Sequence, residues 1–262
     1  MPGNARARSF DSVADQYAAV RPGYPDSMYR FITGAACLCS QSTIVEVGCG
    51  TAKASLPFAQ QGFPMVCVEP GRRLAAIARE ILRPFPNAVV EQSTFEAWDS
   101  AGRRFSLLFS AQAYHWIDPA VAISKPREIL DLDGTVALVW NVPRRDPSPI
   151  RTALNRAYEC HAPQLAEKSG NFAGKSRAAI VGVFANSRGY TSIGEEKFPF
   201  VREYATTEYI QLLGTFSDHL ALRPDVRTIL FQAVEAAIRE DGGSIAVTYD
   251  AICYLFKTIR EA

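Results

Sequence analysis

The chain has 262 residues, 48% of them hydrophobic and 11% aromatic, enough to bury a sizeable core without disulfides or metals. Its 28 Lys and Arg stand against 27 Asp and Glu, a balance that argues against a generic polyanion binder, so no nucleic-acid partner is expected. There is no run of 18 apolar residues and no apolar stretch behind the opening MPGNARARSF, so neither a membrane span nor a secretory leader is expected.

The six cysteines, at 37, 39, 49, 67, 160 and 253, form no CxxC pair and suggest no zinc site or disulfide framework. They read as reduced thiols of a cytoplasmic protein, and no metal is proposed. Cys37 and Cys39 fall in a helical-looking stretch and are read as buried structural residues.

In chain order, the first 25 residues are polar and aromatic. Tyr17, Arg21 and Tyr24 recur at i, i+4 and i+7, one face of a helix or turn. Residues 26–38 read as a helix. TIVEV (43–47) reads as a buried strand running into glycine, followed by a helix over about 53–61. PMVCVE (64–69) is a second strand. Leu74, Ile77, Ala78, Ile81 and Leu82 then mark the apolar face of a helix ending at Pro84. NAVVEQ (87–92) and FSLLFS (105–110) are the third and fourth strands. Asp118-Pro119 opens a helix in which Pro126 predicts a kink or break. TVALVW (135–140) is the fifth strand, entered through a turn at Asp133-Gly134.

After the loop VPRRDPSP (142–149), a helical segment spans about 150–167, and 168–179 reads as a mobile stretch. Strand-like runs recur at 190–201 and 244–256. Between them, Val226, Ile229, Leu230, Ala233, Val234 and Ala237 mark an amphipathic helix. Strands alternating with helices predict a Rossmann-like, doubly wound α/β fold. The expected sheet has seven mostly parallel strands, with a C-terminal antiparallel strand and a helical lid insertion. The chain is read as one domain: a cap over 1–25, a cofactor-binding core over 26–142, a substrate-shaping lid over 143–243 with an edge strand near 190–201, and a final strand within 244–262. Ligands of such sheets bind beyond the carboxyl ends of the strands.

The informative segment is Val45-Glu46-Val47-Gly48-Cys49-Gly50-Thr51-Ala52. A buried strand runs through a glycine turn into a helix, which lets a ligand approach the backbone closely. Glu69 ends the second strand, and an acid at this spacing suits a ribose diol, one hydroxyl to each oxygen. Glu46 is costly to bury unless a cation offsets it. A dinucleotide would bring pyrophosphate to the turn, whereas S-adenosylmethionine brings an α-amino group and a sulfonium. The chemistry therefore favours S-adenosylmethionine over NAD.

The motifs V-E-V-G-C-G-T, C-V-E-P and S-A-Q-A-Y-H-W resemble those of class I S-adenosylmethionine-dependent methyltransferases of the small-molecule type. The opening F-D-S-V-A-D-Q-Y-A-A-V-R-P-G-Y-P and the F-E-A-W before the fourth strand are similar to one bacterial branch. The resemblance covers about residues 9–142. It implies that Gly48, Cys49 and Gly50 contact the methionine part through backbone, with Glu46 near its amino group. It implies that Glu69 holds the ribose, with Pro70 beside the adenine and Thr94 and Phe95 lining it, and that Ala111 and Gln112 lie beside the methionine moiety. Thr94 stands where the family often has aspartate, and Ala52 where it has glycine. Tyr17 and Arg21 read as a cap over the cofactor, helped by the resemblance, or alternatively as a surface arginine packed on aromatics.

His115 and Trp116 follow the fourth strand and are candidate acceptor contacts. His115 is a candidate general base or, equally, a structural residue bonded to a loop carbonyl. The expected activity is methyl transfer to a small-molecule acceptor at O, N or C. Two alternatives stay open: an NAD-dependent oxidoreductase, and a noncatalytic cofactor-binding protein on the same fold.

Overall fold

A computed structural model describes residues 10–166 and 171–259. The chain forms two compact units. A sheet unit contains Gly23–Asn141, Ser176–Phe198 and the chain from Ala251 onward. A helix-rich unit contains the chain up to Pro22, Val142–Lys175 and Pro199–Asp250.

The seven strands are β1 (Ile44–Val47), β2 (Met65–Val68), β3 (Ala88–Glu91), β4 (Phe105–Ala111), β5 (Leu130–Pro143), β6 (Tyr190–Ala205) and β7 (Ser244–Thr258). Their order is β3-β2-β1-β4-β5-β7-β6. Strands β1 to β5 are mutually parallel. β7 runs against them: the Thr258 hydroxyl donates to the Gly134 carbonyl at 3.2 Å and the Arg144 N–H to the Thr248 carbonyl at 2.8 Å, so rising numbers on one strand meet falling numbers on the other. This is the Rossmann-like doubly wound sheet that the alternating pattern predicts. β1 and β2 are wholly buried and largely β-branched, as strands covered on both faces require.

β5 begins earlier than predicted. From Phe105 to Leu107 on β4, its partner advances from Leu130 to Thr135, leaving three extra residues in a bulge. The predicted Asp133-Gly134 turn is that bulge, with Asp133 at φ +64°.

The helices in chain order are α1 (Ala14–Val20), α2 (Asp26–Ala35), α3 (Leu56–Gln60), α4 (Arg72–Leu82), α5 (Pro119–Ile129), α6 (Pro149–His161), α7 (Pro163–Ala166), α8 (Asn171–Ala185), α9 (Thr206–Leu213), α10 (Ser217–Leu220) and α11 (Pro224–Glu240). None is long and apolar enough among the described residues to cross a membrane.

Several expectations are corrected. α2 stops at Ala35, and Cys37 and Cys39 are exposed outside it. Cys37 takes φ +50° in the position where glycine usually ends a helix. Its N–H bonds to the Gly34 carbonyl and that of Leu38 to Thr33, the pair of bonds that closes a helix through a left-handed residue. The helix expected over 150–167 is interrupted at Ala162, because a residue ahead of proline is pushed out of the helical region. The segment read as mobile is helical from Asn171, while 167–170 lie outside the described residues. α1 ends before Arg21, whose backbone is extended, so Tyr24 does not continue its face.

α5 is not broken at Pro126. Proline removes the N–H that would bond the Ala122 carbonyl. The hydroxyl of fully buried Tyr114 donates to that carbonyl instead, at 2.8 Å, and Tyr190 donates to the neighbouring Ile123 carbonyl at 2.7 Å. Asp118 caps the start of the helix through the Ala120 N–H, as predicted.

The helix-rich unit has its own core, in which Leu154, Leu213, Leu230, Val234, Ile238 and Tyr204 are buried together. Leu230 and Val234 come from the predicted stripe on α11, whereas Ile229 is half exposed.

Two outcomes follow from this packing. Tyr114→Phe should cost about 1–3 kcal/mol in denaturant unfolding by stranding a buried carbonyl, and Pro126→Ala on that background should recover part of the loss. Gly48→Ala should unfold at markedly lower denaturant than the parent, because the added Cβ would lie 2.4 Å from the Ala113 Cβ at a residue with φ +71°.

Candidate functional site

The carboxyl ends of β1, β2 and β4 converge on the glycine turn. Gly48, Gly50 and Ala52 all adopt positive φ, at +71°, +58° and +62°. Ala52, where the resemblance places glycine, takes the glycine-like conformation and is completely buried. The Gly48 N–H returns to the Val68 carbonyl at 2.8 Å, so the turn folds back over β2.

Glu46 is 1% exposed in the middle of apolar β1. The Ser55 hydroxyl, at the start of α3, donates to its Oε2. Its Oε1 is buried and has no hydrogen-bond partner. Burial pushes the carboxyl well above the usual glutamate range, and the neighbouring Cys67 and Glu69 add to the rise. Thr51 Oγ1 is buried and unpartnered as well.

Glu69 clamps two loops. Its Oε2 accepts from the Gly50 N–H and its Oε1 from the Gly71 N–H, each at 2.8 Å. One contact fastens the glycine turn and the other the entry to α4. The Cys49 thiol is pushed up by its hydrogen bond to Cys67 and then by burial, which makes it a poor nucleophile.

β4 delivers the opposite wall. Ala113 lies against Gly48, where no side chain fits between them. Gln112 adopts φ +62°, and its side-chain amide donates to the Asn141 carbonyl at 3.1 Å. The Asn141 amide donates to the Gly23 carbonyl at 3.0 Å, while its Oδ1 is buried without a partner. His115 and Trp116 follow in a single 3-10 turn, Tyr114–Trp116. The His115 Nδ1 faces the indole N–H of Trp140 at 3.3 Å rather than a loop carbonyl.

The structure therefore joins Glu46, Gly48, Cys49, Gly50 and Glu69 directly, and places Ala111 and Gln112 next to Ala113 at the end of β4, with His115 and Trp116 following in the next turn. Pro70 is exposed next to Glu69. Thr94 is half buried, and its hydroxyl accepts from the Ala97 N–H. The Phe95 ring is 3% exposed and packs on Trp98 and Tyr114, so its side chain belongs to the core. Tyr17 and Arg21 lie in the helix-rich unit. There the Arg21 guanidinium donates to the hydroxyl and carbonyl of Thr215 at 2.9 and 2.8 Å, between the rings of Tyr17 and Phe216. A cavity of about 550 Å³ lined by Arg104, Arg127 and Asp131 sits at the start of β5, at the other end of the strands from this chemistry.

Ser55, Trp140 and Asn141 were not singled out from sequence. Ser55 carries no local signal, since only folding brings it to Glu46. Trp140 and Asn141 were legible as the end of the fifth strand, on the ligand-binding side of such a sheet.

Residues 44–134 match the family model described as a methyltransferase domain. An uncharacterized methyltransferase of Mycobacterium tuberculosis is 30% identical over 133 residues, 51% of this chain and 52% of that protein. The chain spans about half the length of these curated relatives. A solved structure from Anaeromyxobacter dehalogenans, described as a candidate type II methyltransferase, superposes with a TM-score of 0.67 at 20% identity, covering 90% of this chain and 97% of that one. A coclaurine N-methyltransferase bound to N-methylheliamine and SAH superposes with a TM-score of 0.50 at 13% identity, covering 88% and 72%. The matched segment 44–134 holds the glycine turn, Glu69 and the exit of β4.

Proposed function

We propose that the protein transfers a methyl group from S-adenosylmethionine to a small-molecule acceptor. The observation that carries this reading is the unpartnered Oε1 of Glu46, buried beside the glycine turn. A buried carboxyl with an idle oxygen is stabilised by a cation, and the cofactor's α-amino group supplies one. The pyrophosphate of NAD would instead place negative charge against it. The likeness to a methyltransferase that holds SAH supports the same assignment.

The residues present fit the cofactor. Glu46 would accept from the amino group, the backbone of Gly48, Cys49 and Gly50 would lie along the methionine part, and Glu69 would receive the ribose hydroxyls. Pro70 and the backbone at Thr94 and Phe95 would border the adenine, and Ala111 and Gln112 the methionine side. The cofactor, when bound, supplies a methyl group already activated on a sulfonium. The protein's own task is alignment of the acceptor and exclusion of water. Ala113 packed on Gly48, and Gln112 bonded to Asn141, fix the wall along which the acceptor would approach.

Thermal melts with S-adenosylmethionine, S-adenosylhomocysteine, NAD or NADP added separately test the cofactor. The two methionine nucleosides should each stabilise the protein, by about 2.7 kcal/mol at a hundredfold excess over Kd, and the nicotinamide nucleotides should not. A response to NAD alone overturns the reading. Glu69→Ala should reduce the shift to near zero. If cofactor binds but no acceptor in a broad screen of acids, phenols and amines is methylated, a noncatalytic binding role is favoured.

Glu46 adds a stability test with a defined sign. Its folded pKa is raised, so the folded state holds the proton more tightly than the unfolded chain. That contribution is full below the ordinary glutamate value and is lost as pH rises through the raised one. Glu46→Gln should therefore stabilise the ligand-free protein at neutral pH, by about 0.5–2 kcal/mol, with little effect in acid. The same variant should bind S-adenosylhomocysteine at least about tenfold more weakly in calorimetry, because the charge-assisted contact is lost.

A further inference from the structure

An indole N–H donates hydrogen bonds and accepts none. Trp140 presents its N–H to the His115 Nδ1 at 3.3 Å, so Nδ1 carries the lone pair and the single imidazole proton resides on Nε2. Both rings are held. Trp140 is 2% exposed on β5 and lies edge-on to Tyr254 with centroids 6.1 Å apart. The His115 ring lies 4.8 Å from that of Trp116. Protonating Nδ1 would set one N–H against another. Burial alone accounts for the fall of the His115 pKa to about 4. No charged side chain contributes to that fall, and Tyr254, packed on the far partner Trp140, is itself hydrogen-bonded to Arg177 and Glu195.

The nitrogen of His115 not held by Trp140 thus bears a hydrogen at neutral pH, the wrong polarity for a general base. His115 lies two residues beyond Ala113, the residue packed on the glycine turn. We propose that His115 donates a hydrogen bond from Nε2 to the methyl acceptor, and that Trp140 is the positioning residue that fixes this tautomer. The proposal rests on the methyl-transfer reading above. It defines the acceptor by chemistry. The methylated atom arrives already unprotonated, as an anionic oxygen or a neutral nitrogen, and a second lone pair beside it meets the His115 N–H. No proton moves to His115 in the transfer.

Long-range proton–nitrogen NMR of the full chain tests the assignment directly, since the protein has only three histidines and His115→Gln identifies the signal. His115 should show the Nε2–H tautomer, unchanged between about pH 8 and pH 5.5, across the range where an ordinary histidine titrates. Trp140→Phe should yield mixed tautomers and a midpoint shifted toward the ordinary range. An Nδ1–H tautomer, or titration of the parent near neutrality, overturns the proposal. In kinetics with an acceptor from the screen, His115→Leu should raise KM about tenfold, the cost of one lost contact. His115→Gln, which keeps an N–H, should raise KM clearly less than His115→Leu does. Equal losses in both variants, or a kcat in the parent that follows a neutral pKa absent from His115→Gln, also overturn it. Calorimetry with S-adenosylhomocysteine on the same samples separates the two readings. Failure of the parent to bind rejects methyl transfer itself, whereas binding with the wrong tautomer rejects only the donor role.

Discussion

A carboxyl group buried in the middle of an apolar strand sets the terms for the whole carboxyl edge of the sheet. Glu46 pairs in register with Cys67 on β2 and Phe109 on β4 and is buried from solvent. One oxygen accepts from the Ser55 hydroxyl at the start of α3, and the other is buried without a hydrogen-bond partner. An uncompensated buried carboxylate is expensive, so the arrangement persists only where the surrounding packing over-determines it. That packing is visible: Gly48 is pressed on Ala113 so closely that no side chain fits, and Glu69 ties Gly50 to Gly71.

The same rule governs the supporting structure, where polar groups without a local partner are satisfied from distant segments. Pro126 frees the Ala122 carbonyl within a helix, and Tyr114, from the turn after β4, supplies the missing donor. That turn also carries His115 and Trp116. The repair of α5 and the placement of the candidate acceptor contacts therefore share one short segment, with the Tyr114 ring packed on Phe95 and Phe184. Trp140 acts similarly from β5: its N–H is satisfied by His115, and in the process the imidazole is left with one polarity.

Much of the sheet was legible because its signals are local. Short β-branched runs ending in glycine or acid located β1 and β2 to within a residue, and the spacing of Leu74, Ala78 and Leu82 located the buried face of α4. The glycine turn and Glu69 were legible for the same reason, since the turn conformation and the strand end are written in adjacent residues. Errors arose where a residue's fate depended on partners far along the chain. Cys37 reads as the tail of a helix, yet it ends one in a left-handed conformation that cysteine seldom takes. Pro126 reads as a kink or break, and the helix runs on through it with a hydroxyl twelve positions earlier bonding the freed carbonyl.

By itself, the sequence determined the alternation of strands and helices, the order of the motifs and the residue types available at the strand ends. These follow from periodicity and turn chemistry, which act over a few residues. Only the tertiary structure decided that Glu46 keeps one oxygen unpartnered, that Glu69 holds two loops at once, and that the His115 Nδ1 meets the Trp140 N–H. Each of these depends on a donor or acceptor from another element, and a side chain's polarity in a buried site is set by what packs against it.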